Sequence, residues 1–189
     1  MTEIVRVAVL VGSLRQASFN RRLALAVAAL APPEFVFEHI AIGDLPHYNQ
    51  DNDKNLPEEA KRLKREIERC NALLFVTPEY NRSISGVLKN AIDTASRPYG
   101  TNSFAGKPAG VIGISVSPVG TAAAQQHLRP ILGYLDVPTL GQPEVFIKFE
   151  EELIDENGAI GREDTKKFLQ KWVDRYVAWV HAHPPAGKT

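Results

Sequence analysis

The sequence holds a single cysteine, Cys70. One thiol excludes an intrachain disulfide and a zinc site built from several thiolates. The five histidines are scattered, and none falls in HExxH or CxxC–HxxxH spacing, so no metal site is expected. Neither charge predominates: 22 Lys and Arg balance 22 Asp and Glu, a formal net charge of zero. A broad nucleic-acid or anionic-membrane surface needs an excess of cations, so neither partner is expected, although a small basic pocket stays compatible. No stretch approaches the ~20 apolar residues of a membrane span. The opening MTEIVRVAVLVGS carries Glu3 and Arg6 within a short apolar run and leads into a loop motif. It reads as a first strand rather than a signal peptide. A cytoplasmic location is the resulting expectation.

The 189 residues suit one domain, 1–189, and two would both be undersized. At 44% hydrophobic and 23% charged, such a chain buries a core without metal or disulfide help. Strands are expected at Ile4–Val11, Phe35–Ile40, Ala72–Thr77 and Ala109–Ser115. A fifth begins near Val137–Leu140 and continues around Val145–Ile147. Between them lie helices at Asn20–Leu30, Pro57–Arg69, Ile84–Ser96 and Thr121–Tyr134, the last kinked by Pro130. Pro57 is expected just inside its helix, and Ala60, Leu63, Ile67 and Cys70 form that helix's inner face. A last helix, Glu163–His181, points Phe168, Leu169, Trp172, Val173, Tyr176, Val177 and Val180 inward. The segment Gly43–Leu56 is long for a loop, which suggests a surface or partner-facing role. A frayed tail is expected at about 184–189.

Five strands alternating with helices predict a three-layer α/β fold: a parallel sheet in the order 2-1-3-4-5 with helices on both faces. Ligands in such sheets bind beyond the carboxyl ends of the strands, beside strand 1. The loops after strands 1, 3 and 4 therefore matter most.

The first reads Gly12-Ser13-Leu14-Arg15-Gln16-Ala17-Ser18-Phe19-Asn20. It is neither a Walker A loop nor GxGxxG. Hydroxyls at Ser13 and Ser18, the Arg15 guanidinium and the Asn20 amide precede a helix N-terminus, which favours an anion. Together they suit a terminal phosphate bound without metal. The plainer alternative makes Ser18 or Asn20 a helix cap and leaves Arg15 in solvent. The second loop runs Thr77-Pro78-Glu79-Tyr80-Asn81-Arg82-Ser83-Ile84-Ser85-Gly86. Pro78, the Tyr80 ring and backbone N–H groups suit the edge of a planar heterocycle. Alternatively, Ser83 or Ser85 caps the next helix and Glu79 is a surface charge.

The motifs GSLRxxSFN and TPEYNxSxxGxLKNAIDxxSRP resemble the NADPH-dependent FMN reductases, in the branch of chromate, quinone or ferric reductases. The resemblance continues through Ser115–Gly120 and Gln125–Leu132, where relatives often carry a glycine pair in place of Gly120-Thr121-Ala122. It implies a flavodoxin-like fold and a tightly held FMN. By this resemblance the 5′-phosphate lies at Gly12, Ser13, Leu14, Arg15, Ser18, Phe19 and Asn20. The isoalloxazine lies along Pro78, Glu79, Tyr80 and Asn81, and its pyrimidine side meets Ser115, Ser117 and Gly120. It also implies a homodimer or homotetramer, with Asp93, Arg97, Arg129 and Glu144 as candidate interface residues.

The implied reaction passes a hydride from NADPH or NADH to flavin N5, then electrons to quinones, chromate, ferric complexes or similar acceptors in ping-pong order. No side chain is expected as a catalytic nucleophile. Three other functions occur on the same fold. A flavodoxin-type electron carrier is usually acidic for docking, unlike this chain. A non-catalytic flavin sensor would not turn over a quinone. A phospho-acceptor receiver would need carboxylates at strand ends that here read VGS and VTP.

Overall fold

The computed structural model describes residues 3–184. The frayed tail expected at about 184–189 therefore falls almost wholly outside the described residues. Five strands form one parallel sheet: β1 (Val5–Val11), β2 (Phe35–His39), β3 (Ala72–Val76), β4 (Ala109–Ser115) and β5 (Val145–Lys148). Their order is β2-β1-β3-β4-β5, as the alternation of elements predicts.

The alternation of side chains along each strand divides the core into two layers. Ala8, Leu10, Leu73 and Phe75 face one side, against Leu63 and Ile67 of α2 (Glu58–Glu68), Leu88 and Ile92 of α3 (Gly86–Ala95), and Leu128 and Leu132 of α4 (Ala122–Tyr134). Val7, Val9, Leu74, Val76, Ile112 and Ile114 face the other. They meet Leu23 and Val27 of α1 (Phe19–Leu30) and Leu169, Trp172, Val173 and Tyr176 of α5 (Glu163–Ala182). Tyr176 is fully buried, and its hydroxyl donates to Leu73 O at 2.9 Å, so the ring joins the core with no orphaned polar atom.

The structure departs from expectation in a few places. The segment Val137–Leu140 is not part of the fifth strand. On the β4 side its carbonyl at Pro138 and amide at Leu140 bond to Ala109, the Pro138 carbonyl also accepts from Trp179 Nε1 at 3.1 Å, and Thr139 makes a lone bridge before residues 141–144 turn the chain into β5. Pro57 stands at the N-cap of α2, outside the helix rather than in its first turn. Phe168 is 38% exposed, because the inward arc of α5 begins at Leu169.

The long segment after β2 is tied down rather than loose. Asn90 of α3 donates through Nδ2 to Pro46 O at 3.0 Å, and its Oδ1 accepts from Tyr48 N at 2.8 Å. Among the described residues no helix is long and apolar enough to cross a membrane, and no cluster of His, Cys, Asp and Glu could hold a metal.

Candidate functional site

A cleft of about 120 Å³ opens at the carboxyl ends of β1, β3 and β4, where the sheet order reverses. The loops that follow these strands make its walls. From the first loop come Ser13 and Arg15, with Phe19 and Asn20 from the start of α1. Pro78, Glu79 and Tyr80 come from the second, and Ile114, Ser115 and Val116 from the end of β4. The expected residues Gly12, Leu14, Ser18, Asn81, Ser117 and Gly120 do not line it, and each has another place.

Gly12 is buried between the first two loops. A Cβ there would sit 2.8 Å from Ser85 Oγ and 3.0 Å from Pro78 Cδ, so only glycine lets the loops approach this closely. Leu14 points out of the cleft, 61% exposed, and covers Gly43. Ser18 is the N-cap of α1: its Oγ accepts from Arg21 N at 3.2 Å, one of the alternatives left open by the sequence. Ser85 caps α3 in the same way, accepting from Leu88 N at 3.3 Å.

Residues Tyr80–Ser83 form a tight turn closed by two backbone hydrogen bonds of 3.0 Å. Asn81 and Arg82 take φ of 53° and 64°, the pattern of a type I′ turn. The N–H of Tyr80 is therefore spent inside the turn, and Asn81 stands at its exposed tip. Ser117 O accepts from Gly120 N at 2.9 Å, closing the third loop. Gly120 has φ of 60° and lies against the backbone of Phe146 and Ile147, where a Cβ would approach within 2.8 Å. It serves the packing of that loop on β5. In place of a glycine pair, Thr121 turns inward and its Oγ1 accepts from Gln125 Nε2 at 2.9 Å.

Electrostatically, the mouth of the cleft is set for an anion. The first turn of α1 contains no acidic residue, so its free N–H groups keep their positive field. Arg15 makes no hydrogen bond or ion pair among the described residues; its guanidinium carbon stands 5.0 Å from the centroid of Phe19. Phe19 stacks on Phe149 with ring centroids 3.6 Å apart, which braces the platform under Arg15. Asn20 is 3% exposed, and its amide is engaged by the backbone of Ile114.

Glu79 is not a surface charge. Its side chain is 5% exposed, accepts from Ala124 N at 3.1 Å and pairs with Arg82 at 3.2 Å. Val116 falls in the Ser115–Gly120 segment that the resemblance assigns to the ring, whereas Ile114 and Phe149 are the residues that sequence reasoning missed. Ile114 precedes Ser115, and that neighbourhood was the available signal. Phe149 lies beyond β5, where no motif marks it.

The residues fit the phosphate end of a flavin nucleotide: a cation without a partner, a hydroxyl and a helix N-terminus converge on one cleft. Comparison with known proteins agrees. Residues 5–152 match the model of the NADPH-dependent FMN reductase family. The chain is 53% identical over 176 residues to a 2-hydroxy-1,4-benzoquinone reductase of Burkholderia sp, covering 93% of this chain and 96% of that protein. A quinone reductase of Pseudomonas putida is 45% identical over 181 residues, 95% of this chain and 97% of its own. Among solved structures, FerB of Paracoccus denitrificans, a flavoenzyme NAD(P)H:(acceptor) oxidoreductase, superposes with a TM-score of 0.92 at 45% identity. That match covers 96% of this chain and 100% of FerB. A WrbA-like flavodoxin from Agrobacterium tumefaciens, 18% identical with a TM-score of 0.61, shares the fold. The chain belongs to the NADPH-dependent FMN reductase family, and is an FMN-dependent oxidoreductase.

Proposed function

We propose that this protein, acting as one domain, is an NAD(P)H:quinone oxidoreductase with FMN held in the cleft between the loops that follow β1, β3 and β4. The observation that carries this reading is the unpartnered Arg15 beside an α1 N-terminus that lacks acidic residues. Arg15, Ser13 and the first N–H groups of α1 hold the 5′-phosphate. Pro78, Tyr80 and Ser115 flank the ring, and Tyr80, 47% exposed, bounds the space where nicotinamide and acceptor meet it in turn. When bound, FMN supplies the redox chemistry, taking a hydride from the nucleotide and returning electrons to the acceptor. The protein's own part is to bind, orient and tune. No side chain is assigned as a nucleophile; nicotinamide and acceptor use one shared site in turn, which gives ping-pong order.

Quinones are the first acceptors to test, because relatives matching nearly the whole chain carry that activity in their names. Chromate and ferric complexes follow as further acceptors. The proposed form is a cytoplasmic homodimer or homotetramer. Asp93 and Arg97 border a groove of about 400 Å³ between α3 and α4, next to Tyr134, which is 75% exposed. Within the chain Asp93 pairs with Lys89 at 2.8 Å, and Arg129 stands 3.7 Å from Glu144. Light scattering on the purified protein measures the assembly.

The test of function is an anaerobic visible spectrum, followed by NADPH or NADH and then a quinone. Bleaching by the nucleotide and recovery with the quinone is the expected result. The two bleaching rates give the preferred donor. Flavin that binds without bleaching would indicate a carrier or sensor, and protein that takes up no FMN would end the reading.

A further inference from the structure

Glu79 is the one carboxylate lining the cleft among the described residues, and it is used unusually. The helix α4 begins at Ala122 without a side-chain cap of its own, since the Thr121 hydroxyl is turned inward to Gln125. Glu79, 45 residues earlier, supplies the missing acceptor: its Oε2 takes the N–H of Ala124 in the first turn of α4. A second strap runs alongside, with Ser83 Oγ and His127 Nδ1 3.0 Å apart. The turn carrying Tyr80 and the start of α4 are thus one block.

Charge is involved as well as geometry. The N-terminus of α4 carries a positive field close to the second loop. Glu79 meets that field from a position 5% exposed, while its other partner, the Arg82 side chain, is 72% exposed and screened by solvent. We propose that Glu79 is a positioning residue with an electrostatic role, neutralising the positive end of α4 behind the cleft wall and so lowering the flavin's midpoint potential. A reduced flavin gains negative charge, and charge near the ring tunes how readily it does so. This inference rests on the FMN reading above.

The test uses the full-length, FMN-loaded protein and measures its midpoint potential against reference dyes, with FMN affinity measured separately. Glu79→Gln keeps an oxygen for the Ala124 N–H and removes the charge. Its FMN affinity should stay within about threefold of wild type. Its flavin couple should shift about tenfold toward the reduced form, about 30 mV upward for two electrons. Glu79→Ala removes the acceptor as well and should bind FMN about tenfold more weakly. Arg82→Ala leaves Glu79 less compensated and should move the potential a smaller distance downward. An unchanged or lowered potential in Glu79→Gln would overturn the electrostatic role. Equal loss of FMN in Glu79→Gln and Glu79→Ala would overturn the positioning role, because the carboxylate would then act on the flavin directly. Should Glu79→Gln fail to fold, the potential of FMN-loaded Glu79→Ala decides, since it also loses the charge: no rise in potential refutes the proposal. Failure of the wild-type chain to bind FMN would instead refute the functional reading itself.

Discussion

Asn20 and Ile114, 94 residues apart, exchange a pair of hydrogen bonds: Asn20 Nδ2 donates to Ile114 O at 2.9 Å, and Ile114 N donates to Asn20 Oδ1 at 3.1 Å. The amide mimics a strand partner at the end of β4 and pins the start of α1 against it. Replacing Asn20 with Ala would leave both backbone groups of Ile114 buried and unpaired. The expected cost is about 1–3 kcal/mol in urea unfolding. An Asn20→Ala protein as stable as wild type would show that the pair is dispensable.

Arg15 is the cation offered to the phosphate. Arg15→Ala should leave folding stability close to wild type, since the residue is exposed and only overlies Phe19. FMN affinity should fall by about tenfold to hundredfold, the worth of a hydrogen bond to a charged group. Flavin content after extended dialysis measures this, and full retention would remove Arg15 from the site.

At Gly12 a methyl group would press on Ser85 and Pro78, both buried. Gly12→Ala should cost about 1–3 kcal/mol through overpacking and also weaken FMN binding, because it parts the two loops that flank the cleft. Loss of stability with unchanged affinity would mean that the strain is absorbed away from the site.

The pairing of Glu38 predicts a pH dependence. Arg6 at 2.6 Å and Arg69 both hydrogen-bond the Glu38 carboxylate, tying β2 to β1 and to the residue that caps the end of α2. Chiefly through the Arg6 hydrogen bond, its pKa is lowered from the ordinary carboxylate value. A carboxyl whose folded value lies below its unfolded one contributes stability above the unfolded value and loses it as pH falls through the folded one. Glu38→Gln should therefore melt below wild type at pH 7, by at most about 1 kcal/mol since both arginines are largely exposed. The gap should narrow as the pH falls from the ordinary carboxylate range through the lowered Glu38 value. A gap that stays constant across the acid range would assign the effect to packing rather than charge.

The fold was legible because its signals are local. Runs such as VAVLV at 7–11 and ALLFV at 72–76 are apolar at successive positions, as strands covered on both faces require. The ambiguous case was Val137–Leu140, apolar enough for a strand but joined to its neighbour through Ala109 alone. Register is a matter of pairing, which no local pattern records.

At the site, the sequence by itself determined which loops meet and which residue types they carry. Strand order follows from alternation and handed crossovers, and it brings the ends of β1, β3 and β4 together. Only the tertiary structure decided how each polar group is spent. Ser18 caps a helix, Asn20 pins a strand, Glu79 serves α4 and Gly120 serves β5, while Arg15 is left without a partner. A motif specifies donors and acceptors, but buried polar groups must find partners, and those partners here lie up to 94 residues away in the chain.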